Sequence, residues 1–148
     1  SVPYKTGTTL TLKDGMIGRV YVRFVTDAGI DEMQLSGIAV DKKAPTKTKI
    51  KVNRSGIKTL KTSTKTSYNK KIKKSAKFVF SASYGISGKS KTQYKIVPKG
   101  KKASKYRWKT ANKITYKKKN KKVSIYARFI DKCGNITQRK SSGFYITK

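Results

Sequence analysis

The chain has 148 residues, with 38 lysines and arginines against 6 carboxylate side chains, no histidine and one cysteine. This excludes an internal disulfide and any metal site of the Cys/His cluster type. No run is long or apolar enough for a membrane-crossing helix.

In chain order, the first feature is a hairpin-like segment that recurs at the C-terminus. Residues 20–43 read VYVRFVTDAGIDEMQLSGIAVDKK, and residues 125–148 read IYARFIDKCGNITQRKSSGFYITK. Tyr21 matches Tyr126, Arg23 matches Arg128, Phe24 matches Phe129 and Gly29 matches Gly134; Gly37 matches Gly143 after a slip of one residue. Upstream, YKTGTTLTLK from Tyr4 echoes WKTANKITYK from Trp108. A repeat sets domain layout. Residues 1–45 are expected to be the C-terminal part of one module and residues 46–148 a complete second module. The sequence thus reads as a piece of a longer multidomain chain. Some 45 residues are too few to bury a core alone. Their apolar strand face, Val20, Val22 and Phe24, is expected to be covered by another chain, a swapped copy or an upstream fragment.

Three further strands are predicted from period-two alternation. Residues 76–83 place Ala76, Phe78, Phe80 and Ala82 on one face. Residues 92–97 place Tyr94 and Ile96 opposite Lys95 and Val97. Residues 123–130 place Val123, Ile125, Ala127 and Phe129 opposite Ser124, Tyr126, Arg128 and Ile130. Phe78, Phe80, Tyr94, Ile96, Ile125, Ala127 and Phe129 are the expected core. Turn signals separate the strands: Ser-Gly at 55 and 87, Lys-Gly at 99 and Cys-Gly-Asn at 133. No segment has a helical pattern, and short strands at this spacing imply an all-β sandwich. Asp131-Lys-Cys-Gly-Asn135 reads as a bulged hairpin turn, with Asp131 accepting backbone N–H groups two residues on and Gly134 supplying a positive φ. A single carboxylate cannot make a calcium loop there. Cys133 is expected to be an exposed, incidental thiol.

These residues resemble a family. Tyr126-Ala-Arg-Phe-Ile-Asp-Lys-Cys-Gly-Asn135, followed by Gly143-Phe-Tyr-Ile-Thr147, is similar to the closing hairpin of bacterial immunoglobulin-like repeats. Val40-Asp-Lys-Lys-Ala-Pro45 resembles their inter-module junction, and the stretch from Ser83 to Val97 resembles their Ser-Gly-Ile-Lys-Ser-Val-x-Tyr segment. The family departs from this chain at Cys133, where a small residue is usual, and at Ile30, where Asn follows the glycine. The resemblance implies an immunoglobulin-like β-sandwich, an extracellular or cell-surface bacterial setting and neighbouring modules of the same type. It implies no activity.

Charge is unevenly shared. Six basic residues face five carboxylates before Pro45; the remaining 32 basic residues face one, Asp131. The second module thus carries +31 where the first carries +1, so the fold does not demand the charge. With no carboxylate pair, no activating base and no phosphate loop, catalysis and cofactor use are not expected.

The candidate polyanion-binding residues are Lys70, Lys71, Lys73 and Lys74; Lys99, Lys101 and Lys102; Lys117, Lys118 and Lys119; and Lys121 and Lys122. Tyr68, Tyr106, Trp108 and Tyr116 lie among them, and core or strand-pairing roles fit these aromatics better than a stacking platform does. Only Arg54, Arg107, Arg128 and Arg139 are arginines after Pro45. Specific base readout relies on arginine, so diffuse attraction is the expected mode. A ~100-residue domain exposes about 6,000 Å², hence one cation per roughly 190 Å². Their spacing of ~14 Å exceeds the Debye length of ~8 Å at physiological salt, so self-repulsion is tolerable there. The partners expected are anionic polymers such as teichoic acid or sulfated glycan, with nucleic acid bound only non-specifically. The leading reading is a structural or adhesive module. The alternatives are an accessory module of an extracellular carbohydrate-active enzyme and a non-specific nucleic-acid-binding protein.

Overall fold

The computed structural model describes residues 5–7, 9–52 and 70–148. Tyr4, Arg54, the Ser-Gly turn at 55 and Tyr68 lie outside the described residues, as does the Lys70 side chain. Among the described residues the chain is all-β, with one 3₁₀ turn at Ala103–Lys105. It divides into two compact units, Ser1–Lys42 and Lys43–Lys148. The division falls before the expected residue 45, because the Pro45 carbonyl accepts a hydrogen bond from Thr137 Oγ1 at 2.6 Å, inside the second unit.

The first unit is a long antiparallel hairpin, β1 (Ile17–Thr26) and β2 (Gly29–Ala39). Thr26 pairs with Gly29 across the two-residue loop Asp27-Ala28, and Thr26 Oγ1 donates to the Gly29 carbonyl at 3.3 Å. The base is closed by backbone bonds Gly15 N to Val40 O (2.8 Å) and Val40 N to Met16 O (2.9 Å) and by Asp14 Oδ1 accepting from Lys42 N (2.8 Å). Between Gly18 and Val20 the register slips, and Gly37 opposite takes φ +73°, where a side chain would be strained.

The second unit has two sheets. The smaller orders β3 (Thr46–Val52), β5 (Ala76–Ser83) and β8 (Lys113–Tyr116). The larger orders β4 (Lys70–Lys73), β11 (Phe144–Thr147), β9 (Val123–Asp131), β6 (Lys89–Pro98) and β7 (Lys109–Thr110), with β10 (Ile136–Lys140) also on β9. Both sheets feed one core. Ile50, Val52, Ala76, Phe78, Phe80 and Tyr116 come from the smaller sheet, and Ile72, Val123, Ile125, Ala127, Phe129, Phe144 and Ile146 from the larger. The Phe78 and Phe144 rings meet across the layers, tilted by 44°, with centroids 5.0 Å apart. This is a sandwich-like arrangement.

Of the expected core, Phe78, Phe80, Ile125, Ala127 and Phe129 are buried, while Tyr94 and Ile96 are half-buried against it. Three residues assigned to the opposite faces, Val97, Ser124 and Ile130, are also buried. β9 is flanked in its sheet by β6, β10 and β11, and on its outer face Ser124 and Ile130 are buried while Tyr126 and Arg128 are half-buried. Its exposure therefore alternates only in the middle of the strand, between Ile125 and Phe129.

The Asp131 turn departs from expectation in detail. Asp131 Oδ1 accepts from Asn135 N at 2.8 Å, four residues on rather than two, and Oδ2 accepts from Asn135 Nδ2 at 2.9 Å. The reason is the three-residue loop: Gly134 N donates to the Asp131 carbonyl and Gly134 takes φ +86°, which brings Asn135 rather than Cys133 under the carboxylate. Cys133 is exposed. Asp131 is 1 % exposed, and its loss leaves the two partly buried Asn135 donors without this acceptor. Asp131→Ala is expected to cost ~1–3 kcal/mol in urea unfolding; an unchanged midpoint would show the turn to be self-sufficient.

Burial raises the Tyr116 phenol above its ordinary value of 10.0. The unfolded phenol then ionises first as pH climbs, so the unfolded state gains and stability falls as pH rises through about 10. Tyr116→Phe lacks this loss. Its melting temperature is expected to gain on the parent between about pH 8 and about pH 11, and parallel pH curves would contradict that.

Candidate polyanion-binding surface

The three lysine runs are far apart in sequence and are brought together by strand pairing. β4 lies parallel to β11 at the sheet edge, with Lys71 opposite Tyr145, Ile72 opposite Ile146 and Lys73 opposite Thr147. Ile72 is fully buried, so period-two geometry sends Lys71 and Lys73 to the outside, where both are exposed. Lys70 pairs with Phe144 through its backbone. Lys74 follows with φ +60°, its N–H bonded to the Thr147 carbonyl at 3.1 Å.

On the other flank of β11, Lys119 bridges to Ile146, and Asn120 N donates to the Ile146 carbonyl at 2.8 Å. The same loop carries Lys117, Lys118, Lys121 and Lys122, all exposed. It joins the third run through Lys99 N, which donates to the Lys122 carbonyl at 2.9 Å; Lys101 and Lys102 continue that turn, also exposed. Tyr145 lies among these cations, with Lys71 as its cross-strand partner and Lys122 Nζ 5.9 Å from its ring centre.

Among the described residues of the second unit, no carboxylate side chain shares this surface. Asp131, the one acid of the second unit, closes the far end of β9, eight residues from Val123 or about 26 Å at strand rise. The lysines thus form a ridge of one sign along β4, the 117–122 loop and the 99–102 turn. Fixed like charges at a surface raise the local concentration of a flexible anion without needing a shaped pocket.

A second grouping was not expected as a unit. On the outside of the larger sheet, Trp108 has Lys95 Nζ 4.5 Å and Arg128 Cζ 4.6 Å from its ring centre. Tyr126 has Lys140 Nζ at 5.6 Å and Lys95 Nζ at 5.9 Å. Arg128 Nε donates to Gln93 Oε1 at 2.7 Å, Gln93 Nε2 donates to Thr110 Oγ1 at 3.3 Å, and Lys95 Nζ donates to the Ala103 carbonyl at 2.8 Å. The cross-strand register Gln93–Arg128 and Lys95–Tyr126 builds this ladder. It ties the segment before β7 onto the sheet and engages the Trp108 ring with the protein's own cations. Tyr116 is buried in the core, edge-on to Phe144 at 5.7 Å. Both aromatics therefore have structural work, and Tyr106 is half-buried.

Among the described residues, no group of three or more His, Cys, Asp or Glu side chains gathers, and no helix is long and apolar enough to cross a membrane. Compared with protein families, curated proteins and solved structures, the chain finds no significant match.

Proposed function

We propose that the second unit is an immunoglobulin-like module of a bacterial surface or secreted protein, with a structural and adhesive role and no catalytic one. It attracts anionic polymers of the cell surface, such as teichoic acid or sulfated glycan, through lysine charge. Strand order supports the fold assignment: β3-β5-β8 in one layer and β6-β9-β11 in the other follow the ABE and CFG layers of immunoglobulin-like folds. The observation that carries the binding reading is the meeting of three lysine runs around β11 with no carboxylate among them.

The test is titration with teichoic acid at low salt of the parent chain and a variant with Lys71, Lys73, Lys119 and Lys122 each changed to Glu. These side chains are exposed, so the variant keeps its fold. Weaker binding by the variant is expected. Equal binding would remove the ridge from the account.

A further inference from the structure

Within its own unit, the hairpin β1–β2 presents an apolar face that no described residue of that unit closes. Cross-strand register puts Val20 beside Leu35, Val22 beside Met33 and Phe24 beside Asp31 on one side. Phe24 is 55 %, Met33 48 % and Leu35 46 % exposed. The sequence-equivalent residues of β9 are Ile125, Ala127 and Phe129, all at 0 %. What covers them is the β3–β5–β8 layer, through Ile50, Val52, Phe78 and Phe80.

The two hairpins correspond beyond the strand pattern. Val25 pairs with Ile30, whereas Ile130 pairs with Ile136, one residue further along. That extra loop residue accounts for the slip between Gly37 and Gly143. The bulge at Ser36-Gly37 also falls where Ser142-Gly143 separates β10 from β11.

We infer that the hairpin face is closed by a layer of strands patterned like β3, β5 and β8 and standing N-terminal to the hairpin in the same polypeptide. Two observations select this occupant. In the second unit the covering strands precede β9 in the chain, so their equivalents precede β1. The face is also too small to hold a separate partner. Six residues of two strands span roughly 20 by 10 Å, against about 800 Å² per partner in a standard interface. Only a layer already tethered escapes the association cost that so little area cannot offset.

The test compares the 148-residue chain with an extended chain in which residues 1–17 are replaced by a second copy of residues 43–122. Residue 123 aligns with Gly18, so β1 then follows the copied strands as β9 follows its own. The parent is expected to be monomeric by sedimentation, to bind an apolar fluorescent dye, and to melt unchanged on Phe24→Asp. The extended chain is expected to lose the dye signal, to slow amide exchange in β1, and to lose roughly 10 °C or more of its first melting transition on Phe24→Asp. Dye binding, exchange and Phe24→Asp response unchanged by the extension would overturn the inference. So would a parent dimer that Phe24→Asp dissociates, since a second copy would then be the cover. Neither result bears on polyanion binding, which rests on the other unit.

Discussion

Raising salt from about 50 to about 200 mM is expected to weaken teichoic acid or heparin binding by at least 10³-fold, the loss associated with six or more displaced counterions. The reason is the lysine ridge. Its cations are exposed ammonium groups, each a strongly hydrated point charge without the fork that fixes a phosphate or sulfate in one geometry. Affinity then comes from counterion release, and log affinity falls linearly with log salt. Changing Lys71, Lys73, Lys119 and Lys122 to Glu should lower that slope by about four, one for each lost contact. Four reversals on the outside of the other sheet, at Lys49, Lys51, Lys77 and Lys113, should lower it less. Those cations alternate with Val79, Ser81 and Thr115 across the strands instead of forming continuous runs. An affinity that ignores salt, or equal effects from the two sets, would show that the ridge is not the binding surface.

The largest expected loss of stability follows from Phe78→Ala. Phe78 is fully buried, lies between Val52 and Ile114 in the cross-strand register, and meets the Phe144 ring from the opposite layer. Its removal empties the point where the two sheets touch. A buried Phe→Ala change costs ~3–5 kcal/mol, a large part of the ~5–15 kcal/mol that holds a domain. The melting temperature should fall by roughly 15–30 °C. Ile86→Ala provides the contrast: at 46 % exposure it should stay within about 0.5 kcal/mol of the parent. A small effect at Phe78 would mean that the layers do not share one core.

Alternation in sequence made β5, β6 and β9 legible because each carries aromatic or branched residues in strict phase. β3 was not read, although Thr48, Ile50 and Val52 are its buried phase. Lysine and threonine fill its other positions, so only Ile50 and Val52 mark an apolar phase there. β8 was hidden in the same way, with Ile114 and Tyr116 set among lysines. The lysine runs themselves were plain, but their meeting was not. It depends on the parallel pairing of β4 with β11, partners more than 70 residues apart, and local pattern carries no sign of such a contact. The Trp108 ladder was half-visible. Tyr4 aligning with Trp108 pointed to a structural aromatic, yet Lys95 and Arg128 beside it follow only from the β6–β9 register.

The most direct measurement is the affinity of the full chain for teichoic acid, heparin and duplex DNA, compared at one low salt concentration and equal anionic charge. Attraction by lysine charge without shaped recognition requires all three to bind, within about tenfold of one another, and DNA sequence to make no difference. Failure to bind any of them, or a strong preference for one oligonucleotide sequence, would contradict it.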